Sequence, residues 1–219
     1  MEKKILILGA TGRTGILAVK YALENGYSVN ALVRNPNKIE IQSNKLKIIK
    51  GTPTNIEDLR TAMEGCNYVI SLLSPLPESD SFSLKKITPP HFLEKSMQNV
   101  ITVMKEKGIK RILTLSSIGV GDSHKYAPWF MRIMIKITNF RIVFDDHNKQ
   151  ETLIKNSNLE WTIARPVALN NNLETGTLCI NFNKTPKPFK MSRKQLAMFF
   201  IDNLGKNEFI HKTPILSEK

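Results

Sequence analysis

A glycine-rich run near the start of the chain has the spacing of a phosphate-binding turn. It reads Gly9-Ala10-Thr11-Gly12-Arg13-Thr14-Gly15, between an apolar segment at residues 5–8 and a segment at residues 16–23 whose apolar residues recur at helical spacing. Glycines in such a strand-to-helix turn allow a tight bend and a close approach of the backbone to a pyrophosphate, whose oxygens the free N–H groups of the helix then bind. The run therefore predicts a dinucleotide site; a turn without a ligand is the alternative.

The residues after the second predicted strand, at residues 28–33, indicate which dinucleotide binds. In this architecture an acidic residue at that strand end binds the ribose of NAD, whereas an arginine accommodates the 2′-phosphate of NADP. Residues 34–38 are Arg-Asn-Pro-Asn-Lys, with no acid. We therefore predict NADP(H) as the cofactor, with Arg34 at the 2′-phosphate because a guanidinium suits phosphate geometry. Arg13 and Lys38 either add positive charge there or are ordinary solvent-exposed cations.

Strands and helices are predicted to alternate along the chain, which indicates an α/β fold. This alternation is typical of a Rossmann-type doubly wound parallel sheet, in which ligands bind at the carboxyl ends of the strands. The further strands are expected at residues 46–50, 68–73, 112–115 and 161–164, the further helices at 56–63 and 91–107, and a loop rich in Pro and Ser at 74–90. The residues expected to surround one crevice, because each follows a strand end, are Gly9, Arg34, Thr52, Ser74, Ser117 and Pro166.

The chain is expected to form a single NAD(P)-binding domain over residues 1–219. A length of 219 residues with 41% hydrophobic residues suffices for one sizeable core. The Rossmann core is assigned to residues 1–166 and a small C-terminal cap to residues 167–219. The cap is predicted to contain a hairpin-like pair of short strands and a helix near residues 193–203.

Two further segments have competing interpretations. Residues 129–137 are apolar except for Arg132 and Lys136. Core packing is the favoured interpretation of this segment, and a substrate-binding wall, a dimer face and a membrane-surface contact are the alternatives. Arg165, just before the cap, is expected to orient the cap through an ion pair rather than to touch a ligand.

The formal net charge of +13 suggests an anionic ligand. Lys and Arg never exceed two in a row, so the pattern favours a basic surface that attracts the cofactor over a nucleic-acid site. Cys66 and Cys179 have no metal-binding or redox spacing, which predicts no metal and two plain thiols. Without a signal-peptide core or a long apolar run, we expect a cytoplasmic protein with no integral membrane association, as a monomer or homodimer.

Several motifs together resemble the atypical short-chain dehydrogenase/reductase family. The similarity is to its NmrA-like, NAD(P)-binding branch, which includes biliverdin-IXβ/flavin reductases, and it covers nearly the whole chain. Beside the glycine run, the motifs are Leu32-Val33-Arg34, Val69-Ile70-Ser71-Leu72-Leu73, Leu115-Ser116-Ser117-Ile118-Gly119-Val120, Trp161-Thr162-Ile163-Ala164-Arg165-Pro166 and Ser192-Arg193-Lys194-Gln195-Leu196-Ala197.

The resemblance implies a role for individual cofactor-binding residues. The pyrophosphate would lie against Gly9, Thr11, Gly12, Arg13 and Thr14. Adenine would lie beside Thr52 and Pro53, and the nicotinamide ribose beside Leu73 and Ser74. The family commonly has Gly-Asp where this chain has Gly51-Thr52, so a weaker adenine contact is expected.

The catalytic pair that is usual in the superfamily is missing. No tyrosine of this chain begins a Tyr-x-x-x-Lys motif, and by the resemblance the two positions hold Val143 and His147. Ser117 would supply the hydroxyl that polarises the acceptor, with Ser116 as the alternative. His147 is the candidate proton donor at neutral pH, or a solvent-exposed helix histidine. Asp145 and Asp146 precede it, and the first turn of a helix is their alternative interpretation.

The missing acid favours acceptors that tolerate negative charge after hydride arrives. A positioned acid contributes roughly 10²–10⁴ in rate, and a conjugated acceptor needs it less. We therefore predict an NADPH-dependent reductase of a small conjugated acceptor, such as a quinone, a flavin or a bilin. A bilin-specific role is disfavoured because Val167-Ala168 stands where the family's reductases often have a histidine. The alternative is a catalytically silent NADP(H)-sensing regulatory protein of the NmrA-like type.

Overall fold

The computed structural model describes residues 3–75, 81, 83 and 90–219. The strands in this part of the chain are β1 (Lys4–Leu8), β2 (Ser28–Val33), β3 (Leu46–Lys50), β4 (Tyr68–Ser71), β5 (Arg111–Leu115), β6 (Glu160–Pro166), β7 (Leu169–Asn170), β8 (Leu178–Asn181), β9 (Met191–Ser192) and β10 (Ile215–Glu218). The α-helices are α1 (Arg13–Glu24), α2 (Ile56–Ala62), α3 (Phe92–Glu106), α4 (Trp129–Ile137), α5 (Phe140–Lys155) and α6 (Arg193–Asp202). Short 3₁₀ helices follow β2 at Pro36–Lys38 and β5 at Gly121–Tyr126.

The central sheet has eight strands in the order β3-β2-β1-β4-β5-β6-β10-β8. Every pair in it is parallel except β10 with β8, and β7 pairs separately with β9. The strand order reverses direction between β1 and β4, which is the crevice where such sheets bind ligands. The predicted α/β fold with a doubly wound, largely parallel sheet is confirmed.

Apolar residues cover both faces of the sheet because neighbouring residues of a strand point to opposite sides. In β1, Ile5 and Ile7 join the core cluster under α1 and α6, whereas Leu6 and Leu8 join the cluster that includes residues of α2 and α3. All four side chains are fully buried. This two-sided burial explains why the strand is a continuous apolar run.

The C-terminal segment differs from the expected arrangement. The short strands β7 and β8 do not form a hairpin with each other, because β7 pairs with β9 and β8 pairs with β10. Helix α6 packs against α1, and β10 adds to the central sheet beside β6. The segment predicted as a cap therefore contributes two strands and one helix to the main body.

Two other expectations concern segments near the site. The prediction that residues 129–137 pack in the core is wrong, since Trp129 is 70% exposed and Ile137 63% exposed, and Ile135 is the buried residue of α4. Most of the predicted loop at residues 74–90 lies outside the described residues. Within the described part of the chain, no helix has the length and apolar character needed to cross a bilayer.

Candidate functional site

The glycine turn joins β1 to α1 with backbone contacts that exclude larger residues. Gly9 has φ +80°, and a Cβ atom there would lie 2.5 Å from the carbonyl oxygen of Leu72. A Cβ atom on Gly15 would lie 2.0 Å from the carbonyl oxygen of Gly9. The N–H of Gly12 donates to that same oxygen at 2.9 Å. The start of α1 is therefore held directly against the end of β1, as a dinucleotide turn requires.

A cavity of about 680 Å³ opens from this turn along the carboxyl ends of β4, β5 and β6. Of the predicted site residues, those that line it are Thr11, Gly12, Arg13, Thr14, Gly15, Ser74, Ser117, His147 and Pro166. The glycine turn and the candidate catalytic residues therefore border one space. This volume is within the usual range for small-molecule sites.

The predicted adenosine-side residues do not line this cavity. Arg34 and Lys38 are exposed and follow β2, and Thr52 and Pro53 follow β3. Since β2 and β3 run parallel to β1, these four residues lie at the same edge of the sheet as the glycine turn, on its other side.

An acid of α2 lies beside Gly51 and Thr52. The carboxylate of Asp58, on α2, accepts a hydrogen bond from the backbone N–H of Thr52 at 2.8 Å. A Cβ atom on Gly51 would lie 2.6 Å from the same carboxylate oxygen. Thr52 is thus held in place by an acid six residues later in the sequence.

Ser116 and Ser117, after β5, have different environments. Ser116 is buried, and its hydroxyl donates to the carboxylate of Glu151 at 2.7 Å. Ser117 is half-buried, and its hydroxyl donates to the carbonyl oxygen of Ile118 at 3.1 Å. A neutral bond to the adjacent residue is weaker than one to a carboxylate, so Ser117 is the freer hydroxyl to meet a ligand.

His147 lies on α5 and is 5% exposed, so it is not a solvent-exposed helix histidine. Burial lowers the pKa of the imidazole to about 4, although Glu151 and Asp146 act in the opposite direction. At neutral pH the ring is therefore uncharged. Among the described residues, its buried Nδ1 atom has no hydrogen-bond partner.

A buried ion pair lies behind the serines. The guanidinium of Arg165 donates to both carboxylate oxygens of Glu151, at 3.0 and 2.5 Å, and also to Asp122 at 2.6 Å. Arg165 and Glu151 are each 1% exposed. Hydrogen bonds from Arg165 and Ser116 hold the pKa of Glu151 below its usual value despite its burial. Arg165 therefore joins β6 to α5 and to the 3₁₀ helix after β5, and the expectation that its ion pair orients the C-terminal segment is wrong.

Asp146 connects α5 to α3. Its two carboxylate oxygens accept the backbone N–H groups of Leu93 and Glu94, at 2.9 and 3.0 Å. These are first-turn donors of α3 that otherwise lack intrahelical partners. Because α5 already begins at Phe140, Asp145 and Asp146 do not lie in its first turn, and that interpretation is wrong. Asp145 forms an ion pair with Lys149.

The remaining walls of the cavity are mostly apolar. They are formed by residues of α4, α5 and the segment after β6, with one cation, Arg193, at the start of α6. The apolar lining residues include Phe130, Met131, Met134, Phe140, Val143, Phe144, Val167, Leu169 and Phe189. Arg193 is 9% exposed and donates to the side-chain oxygen of Asn171 at 2.7 Å. Such a lining suits a flat or apolar molecule better than a highly charged one.

Neither cysteine belongs to this site, and no metal cluster is present in the described ranges. Burial raises the pKa of Cys66 to about 12, so this thiol is not ionised at neutral pH. Cys66 and Cys179 are both free thiols. No group of three or more His, Cys, Asp or Glu residues among the described ones has the arrangement of a metal site.

A comparison with protein families assigns the chain. A family model described as NAD(P)H-binding matches residues 9–207, which includes the glycine turn, both serines and His147. The chain belongs to this NAD(P)H-binding family. The predicted family is thereby confirmed.

Individual proteins are similar to this chain in sequence or in fold. Anthocyanidin reductase of Arabidopsis thaliana is 29% identical over 128 residues, and the chain covers 36% of that enzyme's length. A Rossmann-fold NAD(P)-binding family protein from Shigella flexneri is 25% identical with a TM-score of 0.73, and the match covers 100% of this chain and 94% of that one. ChuY, an anaerobilin reductase from Escherichia coli O157:H7, is 18% identical with a TM-score of 0.79, covering 99% and 97%.

Glu151 and Arg193 were not predicted as site residues, because their places in the site depend on contacts between distant elements. Glu151 lies four residues after His147 on one helix, so its spacing placed both on one face. Its partners Ser116 and Arg165 are 35 and 14 residues away in the chain. Arg193 stands in a motif that carried the resemblance, but nothing in that motif indicated a place in the cavity wall.

Proposed function

We propose that this protein is an NADPH-dependent reductase that transfers hydride to a small conjugated acceptor, such as a quinone or a flavin. The observation that carries the proposal is that one cavity is bordered by the glycine turn, by Ser117 and by His147. Groups that suit phosphate and groups that suit an acceptor therefore share one space. Hydride transfer requires this proximity.

The residues at the turn fit a bound dinucleotide. A Cβ atom on Gly9 or Gly15 would overlap backbone, so the close approach of β1 and α1 depends on glycine there. The N-cap residue of α1, Gly12, has no side chain to bond the first-turn N–H groups, which leaves that role to an anion. The proposed cofactor-binding residues are Gly9, Thr11, Gly12, Arg13, Thr14, Gly15, Arg34, Lys38, Thr52, Pro53, Leu73, Ser74 and Pro166.

The preference for NADPH over NADH is proposed from charge at the end of β2. Arg34 and Lys38 are exposed cations on the side of the turn where β2 ends. Neither of the strand-end residues that follow β2 and β3, Arg34 and Thr52, is an acid that would repel a 2′-phosphate. A phosphate held by a guanidinium gains charge-assisted hydrogen bonds, which are stronger than neutral ones.

When bound, NADPH supplies the hydride, and the protein must orient the acceptor and stabilise the charge that develops on it. Ser117 would do so by donating its hydroxyl to an acceptor oxygen instead of to the Ile118 carbonyl. His147 would contribute its Nδ1 atom, which has no partner in the described structure and therefore costs free energy until it gains one.

The pKa of His147 supports a conjugated acceptor. With a pKa of about 4, the imidazole does not carry the extra proton at neutral pH, so it does not replace the missing tyrosine as a strong acid. An unconjugated ketone would form an alkoxide that needs a proton at once. A quinone or flavin delocalises the charge and takes its proton from water later.

We propose that the protein acts in the cytoplasm as a monomer or homodimer. Both cysteines are free, which agrees with a reducing compartment.

The test is steady-state oxidation of NADPH with a flavin, a quinone and an unconjugated ketone as acceptors. We expect multiple turnovers with the flavin or quinone and little or none with the ketone. Calorimetric titration of NADPH in parallel shows whether the cofactor binds. NADPH binding without turnover for any acceptor would refute the reductase proposal.

That outcome would favour the alternative function, an NADP(H) sensor. The observation in its favour is that Val143, an apolar residue, stands at the position expected for the catalytic tyrosine. A sensor requires a partner whose affinity differs between the NADPH-bound and NADP⁺-bound protein, because coupling must come from differential binding.

A further inference from the structure

Helix α4 presents a row of large apolar side chains to solvent. Trp129 is 70% exposed, Phe130 54%, Ile133 49% and Ile137 63%. We call these four residues the α4 surface. Contiguous exposed apolar residues of this size mark interaction sites in soluble domains, because their exposure to water is otherwise unfavourable.

The α4 surface is one stripe of an amphipathic helix. Trp129, Ile133 and Ile137 are four residues apart and lie along one line of the helix. Arg132 and Lys136 border that line on one side. The opposite side of α4 faces the protein, where Ile135 is buried.

The segment that carries the α4 surface has cations and no carboxylates. Residues 123–144 contain no Asp or Glu and four cations, Lys125, Arg132, Lys136 and Arg141. The nearest acids along the chain are already paired. Asp122 bonds to Arg165, and Asp145 forms an ion pair with Lys149. The segment therefore combines exposed apolar side chains with cations and has no acid of its own.

We propose that the α4 surface docks on an anionic lipid bilayer. A helix with Trp, Phe and Ile on one side and Lys or Arg beside them inserts its apolar side at the level of the headgroups, while the cations attract anionic lipids. Tryptophan suits this position because its ring is apolar and its N–H is polar.

Charge argues against a second copy of the chain as the occupant. A twofold dimer on this face would bring Arg132 and Lys136 towards the same residues of the partner, and residues 123–144 offer no carboxylate to compensate. Single-stranded nucleic acid fits less well, because its binding sites use cations and aromatic side chains on which bases stack. Exposed aliphatic side chains such as Ile133 and Ile137 provide no such stacking.

Docking has a consequence for the acceptor, which rests on the proposed reductase function. Phe130 belongs to the α4 surface and also lines the cavity, together with Met131 and Met134 of the same helix. The cavity wall therefore continues onto the docking surface. This arrangement fits an apolar acceptor that is dissolved in the bilayer.

The test measures binding to membranes and not enzymatic turnover, so its outcome does not depend on the reductase proposal. The protein is sedimented with phosphatidylcholine vesicles that contain or lack phosphatidylserine. We expect binding to the anionic vesicles only. Since each cation near the surface contributes about 1 kcal/mol, Arg132→Glu with Lys136→Glu should weaken binding by at least about 30-fold. Lys20→Glu with Lys110→Glu, which changes the net charge equally at exposed positions elsewhere, should bind nearly as the wild type.

Tryptophan fluorescence tests the apolar contact. The chain has two tryptophans, and the other one, Trp161, is 9% exposed, so a blue shift on adding anionic vesicles reports on Trp129. Trp129→Ala with Ile137→Ser should lose most of the binding and keep the wild-type circular dichroism spectrum.

Three results would overturn the proposal. One is that the wild type does not bind phosphatidylserine vesicles. A second is that binding is unchanged in both α4 double variants. The third is a stable dimer in light scattering that Trp129→Ala with Ile137→Ser converts to a monomer, which would assign the surface to a second copy.

Discussion

Replacing Gly15 by alanine is the sharpest test of the cofactor site. The added Cβ atom would lie 2.0 Å from the carbonyl oxygen of Gly9 and 2.8 Å from its carbonyl carbon. Cβ atoms essentially never approach other atoms within 3.0 Å, so the start of α1 must move away from the end of β1 by at least about 1 Å. Both contacts are with backbone, so no flexible side chain can absorb the overlap.

The displacement should weaken NADPH binding more than it destabilises the fold. In the proposed site the N–H groups at the start of α1 bind the phosphates, and each charge-assisted hydrogen bond that the displacement breaks costs about 1.5–3 kcal/mol, so two lost bonds raise Kd by roughly 100-fold or more. Overpacking of this kind costs about 1–3 kcal/mol in stability. We therefore expect at least about a 100-fold rise in Kd by calorimetric titration, together with a cooperative thermal unfolding transition at lower temperature.

Two other glycine-to-alanine variants serve as controls for this result. A Cβ atom on Gly12 would lie 3.2 Å from the Gly9 oxygen, so Gly12→Ala should weaken binding less than Gly15→Ala. A Cβ atom on Gly205 would lie 3.8 Å from its nearest neighbours, so Gly205→Ala should bind NADPH as the wild type does. If Gly15→Ala bound NADPH as tightly as Gly205→Ala, the phosphates would not lie at this turn.

Three further predictions concern selectivity, turnover and pH. Arg34→Asp should weaken NADPH binding by about 10–100-fold in calorimetry and reverse the preference over NADH, because it removes a charge-assisted hydrogen bond of about 1.5–3 kcal/mol and adds a repulsive charge. The control Lys110→Asp should change neither the affinity nor the preference. Ser117→Ala should leave the Kd for NADPH unchanged but lower kcat by at least about tenfold for every active acceptor; unchanged turnover would transfer the role to Ser116 or to the cofactor alone. The pKa of His147 is about 4 in the folded chain and 6.5 as a free side chain. The unfolded chain therefore binds the proton first as pH falls. The free energy of unfolding of the wild type should thus fall by up to about 3 kcal/mol between pH 6.5 and 4. Denaturant unfolding of His147→Gln should lack this component, and an identical pH slope in both proteins would contradict the burial of a neutral ring.

Local pattern explains why the first part of the fold was predictable. The glycine turn lies between an apolar strand and an amphipathic helix that are adjacent in the sequence, so spacing alone placed all three. The observed bounds, Lys4–Leu8 and Arg13–Glu24, exceed the predicted ones by one and four residues. Parallel order followed too, since alternating strands and helices leave few other ways to cover both faces of a sheet.

The environment of the catalytic candidates was not predictable in the same way. Whether His147 is solvated or buried depends on which face of α5 meets β5 and β6, and the sequence near it is compatible with either. The network of Glu151, Ser116 and Arg165 likewise joins three separate elements. Its hydrogen bonds arise only when the sheet brings the carboxyl ends of β5 and β6 together.

The exposure of helix α4 was likewise not predictable from the sequence. Its apolar composition predicted burial, yet burial depends on whether another element covers each face, and Trp129 and Ile137 are left exposed. The types and local spacing of residues therefore determined the dinucleotide turn, the class of fold and the absence of a Tyr-x-x-x-Lys pair. Tertiary packing alone decided which serine hydroxyl bonds to a carboxylate, which protonation state His147 has and which apolar residues face water, because those properties depend on contacts between residues far apart in the chain.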